Sequence, residues 1–217
     1  MKIPLLMRKS LAEFFGTFMI VFIGLGTVYF ASDANTLTVA LAFGLAVAAG
    51  IFTLGHISGG QFNPAVSTAM LIDKRLTLKE FAVYVVSQFA GALFGLALLL
   101  VASPEVDAFV APNTDIVIIL FEMFVTYVFV YVILAVSQRK YFAPHVAFII
   151  GLTLVGLILV SASVTGAALN PAVIFAALLM SQGLHVYFAY LIGTLSGAVL
   201  AALTYKVLKF KDDQTVE

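Results

Sequence analysis

The tripeptide Asn-Pro-Ala occurs twice in this sequence, as Asn63-Pro64-Ala65 and as Asn170-Pro171-Ala172, and both copies continue with Val. Ser58-Gly59-Gly60-Gln61-Phe62 leads into the first copy and Thr165-Gly166-Ala167-Ala168-Leu169 into the second. Each copy opens a short apolar run, 63–72 or 170–180. Asn caps helix starts, and Pro suits the first helical turn, where its missing N–H costs nothing. A helix of about ten residues rises ~15 Å, half of the ~30 Å hydrocarbon core of a bilayer. The pattern therefore predicts two re-entrant half-helices that begin inside a membrane, in matching places of a duplicated chain, and so a pore at the midplane.

Composition makes lipid the solvent. The 217 residues are 63% hydrophobic and 10% charged, against roughly 45–50% and about 25% in soluble domains. Apolar stretches long enough to cross fall at about 9–30, 36–55, 81–102, 115–136, 144–162 and 184–208. The first is as long as a full span and has no small-residue cleavage site, so it reads as an uncleaved helix and not a signal peptide. A formal net charge of zero gives no sign of a nucleic-acid partner, and the absence of Cys rules out disulfides and thiolate metal sites.

Charge placement supports six spans. Lys2, Arg8 and Lys9 precede the first; Lys74, Arg75 and Lys79 lie between the second and third; Arg139 and Lys140 between the fourth and fifth; Lys206, Lys209 and Lys211 close the chain. These are all eleven basic residues, and every one falls on one side of a six-span topology. The other side carries Asp33, Glu105, Asp107 and Asp115. By the positive-inside rule both termini are cytoplasmic.

The halves, about 1–102 and 115–208, resemble each other within one transmembrane channel domain spanning 1–217, with a short cytoplasmic C-terminal tail. Glu13 in the first span has a counterpart in Glu122 of the fourth, and Gly91 and Gly95 are mirrored by Gly193 and Gly197, a spacing that lets helices pack closely. Three spans per half is an odd number, so the second copy is inserted upside down and the half-helices enter from opposite faces.

Each half-helix start presents unpaired N–H groups and the positive end of a dipole, worth about half a charge. Two such ends converging in a low dielectric repel cations and hydronium, while the Asn63 and Asn170 amides orient a passing water. The segments before each Asn, roughly 57–62 and 164–169, are expected to present carbonyls to the lumen, since irregular backbone at membrane depth must line water or be buried. Intramembrane carboxylates are functional suspects; Glu13 and Glu122 are read here as structural supports accepting hydrogen bonds from the re-entrant loops, with a proton relay as the rival reading. His56, His145 and His185 are too scattered for a metal site, and His56 is expected at the cytoplasmic vestibule. No Ser/His/Asp set, phosphate loop or carboxylate pair argues for an enzyme, and no cofactor is implied.

These residues resemble the aquaporin (major intrinsic protein) family over nearly the whole chain. Further pieces are Ala12-Glu13-Phe14-Phe15-Gly16-Thr17-Phe18, Leu41-Ala42-Phe43-Gly44-Leu45, and His56-Ile57-Ser58-Gly59-Gly60 before the first Asn-Pro-Ala. The resemblance implies an all-α hourglass fold with six transmembrane helices, two half-helices and an inverted repeat. It implies a multi-pass protein of the plasma (cell) membrane, a homotetramer with one pore per subunit, and water or small neutral solutes as permeants. It implies pore-lining loops that include His56, Gly59, Gly60, Gln61, Gly166 and Ala168.

One position departs from the family. Members usually carry Arg straight after the second Asn-Pro-Ala, at the narrowest part of the outer pore; here it is Val173, followed by Ile174 where glycerol channels often have Asp. Carried over by spacing, the other filter positions are Phe43, Ile158 and Ala167. Such a filter has no charge and no side-chain donor. Without a guanidinium, water loses up to five donors and cation rejection rests more on the half-helix dipoles. Hydrogen peroxide, gases, small neutral acids and glycerol-like solutes are expected to gain relative to water. A closed junction protein, an ion-coupled transporter and a solute facilitator with poor water conduction are the alternatives.

Overall fold

The computed structural model describes residues 3–102, 113–138 and 144–209. Lys2, Glu105, Asp107, Arg139, Lys140 and Lys211 lie outside them. The described residues form eight α-helices: α1 Leu5–Phe30, α2 Thr36–Ser58, α3 Pro64–Ile72, α4 Leu78–Ala102, α5 Asp115–Val136, α6 Val146–Thr165, α7 Pro171–Met180 and α8 Tyr187–Leu208, the last entered through a 3-10 turn at Leu184–Val186. Six are long and apolar enough to cross a membrane. Several overrun the apolar stretches read from the sequence. α1 begins at Leu5, α2 runs to Ser58 and α6 to Thr165. Hydropathy measures the hydrocarbon crossing, whereas a helix continues wherever its backbone ladder can be completed.

Local signals account for the ends. Asn35 Oδ1 accepts from the Thr38 N–H at 3.0 Å and caps α2. α2 and α6 stop at Gly59 (φ 95°) and Gly166 (φ 81°), left-handed positions that glycine takes without a Cβ clash. The chain turns there toward the midplane instead of continuing out of the membrane.

Close helix packing follows the mirrored glycines. A Cβ on Gly91 would strike the Phe14 carbonyl of α1, and one on Gly197 the Met123 carbonyl of α5. α1 thus lies against α4 as α5 lies against α8. The halves meet where α2 crosses α6, with Gly44 and Gly151 each lacking the side chain that would lie 2.6 Å from the other's carbonyl oxygen.

Outward faces are apolar, among them Phe124, Leu152 and Phe188. The interior holds Glu13, Ser67, Gln88, Glu122, Thr126 and Thr194 fully buried. An apolar outer face over an interior that also holds hydrogen-bonded polar groups is what a lipid solvent selects. At one end of the bundle the buried Asp73 carboxylate at the foot of α3 takes Arg75 Nε at 2.8 Å and Lys209 Nζ at 3.0 Å. Arg75 also donates to Ser137 Oγ at 2.7 Å and to the Leu134 carbonyl at 2.9 Å. The ends of α3, α5 and α8 are held together by one carboxylate and one guanidinium.

Candidate functional site

Each Asn-Pro-Ala builds a helix start. Asn63 Oδ1 accepts from the Ala65 N–H at 2.8 Å, and Asn170 Oδ1 from those of Ala172 at 3.0 Å and Val173 at 3.4 Å. Pro64 and Pro171 occupy the first turn, where no N–H is needed. Pro64, Ala65, Pro171 and Ala172 are buried in packing. The two Asn side chains differ from them in lining a cavity.

The helix starts face each other. Asn63 Nδ2 donates to the Leu169 carbonyl at 2.9 Å, and Asn170 Nδ2 to the Phe62 carbonyl at 2.9 Å. Each amide is thus fixed by its own helix through oxygen and by the opposite loop through nitrogen. One N–H per Asn remains.

The loops entering these helices lack helical hydrogen bonds, and buried carboxylates take their place. Glu13 Oε1 accepts from Ser58 Oγ at 2.6 Å and the Gln61 N–H at 3.1 Å; Oε2 accepts from the Phe62 N–H at 2.6 Å and Gln88 Nε2 at 2.8 Å. In the second half Glu122 Oε1 accepts from Thr165 Oγ1 at 2.6 Å and the Ala168 N–H at 2.9 Å, and Oε2 from the Leu169 N–H at 2.9 Å. A buried, unpaired N–H costs about 1–3 kcal/mol, so these acceptors stabilise the non-helical backbone that leads into each half-helix. Phe62 (φ 50°), Ala167 (φ 59°) and Leu169 (φ 46°) hold left-handed conformations against the usual preference of residues with a Cβ. The Phe62 ring helps by filling the notch of Gly16 and Gly50, where a Cβ would enter the ring.

A single cavity of about 560 Å³ is lined by residues from both ends of the bundle and from its centre. Tyr29, Asn35 and Ser181 line one end, Ser137, Met70 and Val146 the other, and Asn63 and Asn170 the middle. Phe43, Ile158, Ala167 and Val173 share its wall, as do Gly59, Gly60, Gln61, Gly166 and Ala168. Phe43 is seated where Gly24 of α1 leaves room for its ring.

His56 needs correction. It sits in the last turn of α2 with its side chain exposed, and it does not contribute to the cavity wall. Helix α2 turns by about 100° per residue, and the rotation that sends Phe43, Val47 and Ile51 inward sends His56 out.

Sequence reasoning missed four partners. Tyr84 donates its hydroxyl to the Ser58 carbonyl at 2.8 Å and Tyr190 donates to the Thr165 carbonyl at 2.6 Å, the equivalent atom in the other half. Tyr84 lies seven residues before Gly91 but Tyr190 only three before Gly193, so aligning the repeats does not pair them. Gln88 and Ser67 complete the support around Glu13. The legible signal was a hydroxyl, Ser58 or Thr165, five residues before each Asn.

The sequence pattern of the family described as major intrinsic protein matches residues 1–205. The chain is 37% identical over 217 residues to "Glycerol uptake facilitator protein-like 6" of Lactiplantibacillus plantarum, covering 95% of this chain and 100% of that protein. It is 37% identical over 216 residues to the "Lens fiber major intrinsic protein" of Ovis aries, covering 94% and 81%. "Aquaporin AqpM" of Methanothermobacter marburgensis is 35% identical over 243 residues, covering 94% and 98%. Among solved structures, the aquaglyceroporin from Plasmodium falciparum superposes with a TM-score of 0.82 over 94% of this chain and 96% of that one, at 21% identity, a likeness of fold.

Proposed function

The chain belongs to the major intrinsic protein family of membrane channels, and from that premise we propose that it is a passive pore for water and small uncharged solutes that excludes ions and protons. The observation that carries this reading is the single cavity shared by the facing Asn63 and Asn170 helix starts and a wall of Phe43, Ile158, Ala167 and Val173. Each Asn keeps one N–H beyond its bond to the opposite loop. These donors hold a permeating oxygen at the point where two helix dipoles make the potential most positive, which opposes cations and breaks a proton wire.

The wall toward Tyr29 and Ser181 sets the solute range. Four apolar side chains offer a neutral solute van der Waals contact, and they give water no side-chain partner to replace its lost hydration. An apolar constriction disfavours a water column by dewetting. Hydrogen peroxide, glycerol-like polyols, gases and small neutral acids therefore gain relative to water. That a relative bears the name of a glycerol uptake facilitator is in line with this reading.

Topology completes the proposal. The chain works as one transmembrane domain made of two inverted halves, in the plasma membrane of its cell, with both termini cytoplasmic and four copies assembled with one pore each. The bundle end bearing Asp73, Arg75 and Lys209 is then the cytoplasmic one. Stopped-flow measurements on proteoliposomes with water, hydrogen peroxide and glycerol test the reading. Permeability above that of empty vesicles, independent of any ion gradient and without ion conductance, is the expected result. Flux that follows an ion gradient overturns it.

A further inference from the structure

Gln61 lines the cavity on the α3 side of the paired Asn residues, and its two polar ends are not equivalent. Its Oε1 accepts from Ser67 Oγ at 2.6 Å. Its amide nitrogen has no protein acceptor among the described residues, and it is not sealed off from the cavity.

The orientation is dictated by a relay that begins at a carboxylate. Glu13 takes four donors on its two oxygens, as a carboxylate does, and the end of Gln88 that faces it is Nε2, at 2.8 Å. The same Nε2 donates to Ser67 Oγ at 2.9 Å. Ser67 then directs its own proton onward, which makes Oε1 the end of Gln61 that meets it. The cost is visible in Gln88 Oε1, which is buried without a partner. Turning Gln88 over would relieve that atom only by setting a carbonyl against a carboxylate.

We propose that Gln61 is a specificity-determining residue of the pore, its side-chain N–H group a third lumen-facing donor after Asn63 and Asn170, oriented by the Glu13–Gln88–Ser67 relay. The inference rests on the channel reading above. With Val173 at the outer constriction, side-chain donation to a permeating oxygen around the midplane, between the Tyr29 and Ser137 ends of the cavity, falls to these amides. Gln61 extends it toward the α3 side, where loop 59–62 turns to the midplane. It lowers the dehydration barrier for water on that side of the Asn pair and leaves the wall at Phe43, Ile158 and Val173 apolar.

The test uses the full chain in proteoliposomes, with protein per vesicle quantified and assembly checked by size exclusion. Water permeability and its activation energy are measured for wild type, Gln61→Met, Gln61→Glu and Gln61→His. Met keeps the volume and removes both polar ends. Glu still accepts from Ser67 but offers an acceptor to the lumen. A neutral imidazole accepts from Ser67 at one nitrogen and donates at the other. The expected result is a loss of about fivefold per protein for Met and Glu, the factor for one net hydrogen bond, with a raised activation energy, and recovery to within about twofold for His. Where Gln61→Met does not assemble, Gln61→Glu decides against wild type. A conducting wild type matched by Met and Glu overturns the donor role and leaves the channel reading standing. Equal losses in all three variants mean that Gln61 only holds the loop, and this too overturns it. A wild type no faster than empty vesicles for every solute overturns the channel reading itself.

Discussion

Asn63 donates its side-chain amide to the backbone carbonyl of Leu169 at 2.9 Å, across 106 positions of sequence. The matching bond runs from Asn170 to Phe62. Two half-helices far apart along the chain are thereby locked start to start, and the N–H left on each Asn is held in one direction. That lock leads to the first prediction.

Asn63→Asp keeps the oxygen that caps α3 and loses the N–H given to Leu169. It places a carboxylate beside a carbonyl and a negative charge at the most positive point of the cavity. The variant is expected to fold with stability lowered by about 1–3 kcal/mol, the cost of an unpaired buried group, and to admit monovalent cations. Reversal potentials in planar bilayers under a salt gradient check this; ion exclusion equal to wild type would count against the dipole argument.

The carboxylates differ in load. Glu13 takes four donors and Glu122 takes three. Replacement by Gln leaves one acceptor atom and turns an amide toward N–H groups. Both variants are expected to lose about 3–5 kcal/mol, the range for removing one partner of a buried charged pair, with Glu13→Gln the worse. Yield of monodisperse protein and melting temperature in detergent report the order. Normal folding together with an altered pH dependence of flux would favour a proton relay instead.

Val173→Arg adds a guanidinium with five donors to the apolar wall. Glycerol and hydrogen peroxide permeability is expected to fall relative to water. Permeabilities all equal to wild type would remove Val173 from the constriction.

Glycines separate by what surrounds them. A Cβ on Gly197 would meet the Met123 carbonyl and the Tyr127 nitrogen, backbone atoms that cannot step aside, whereas one on Gly156 meets nothing within 4 Å. Gly197→Ala is expected to push α8 off α5 and lower the melting temperature by several degrees. Gly156→Ala gains the roughly 1 kcal/mol of helix propensity that Ala holds over Gly. Thermal melts of the pair run side by side check both signs.

Mercurial block requires a thiolate, and the chain has no Cys. Water and solute flux is expected to be unchanged by mercuric chloride. Specific inhibition would point to a different mode of conduction.

Span number, inverted duplication and the two half-helices were legible in the residue string. A bilayer imposes a length on any apolar helix and forbids unsatisfied backbone, and Asn-Pro marks a helix start whatever surrounds it. Glu13 and Glu122 stood out because an uncompensated carboxylate at membrane depth is too costly to occur by chance. Other features waited on the packed molecule. His56 turned away from the cavity, Tyr84 and Tyr190 reached equivalent carbonyls from unequal positions, and Gln61 received its polarity from a buried neighbour two side chains removed. Those outcomes follow from the rotation of each helix about its axis and from the direction of individual protons. Close contacts such as Gly44 against Gly151 and Gly16 against Phe62 set them, and residue spacing along the chain does not encode them.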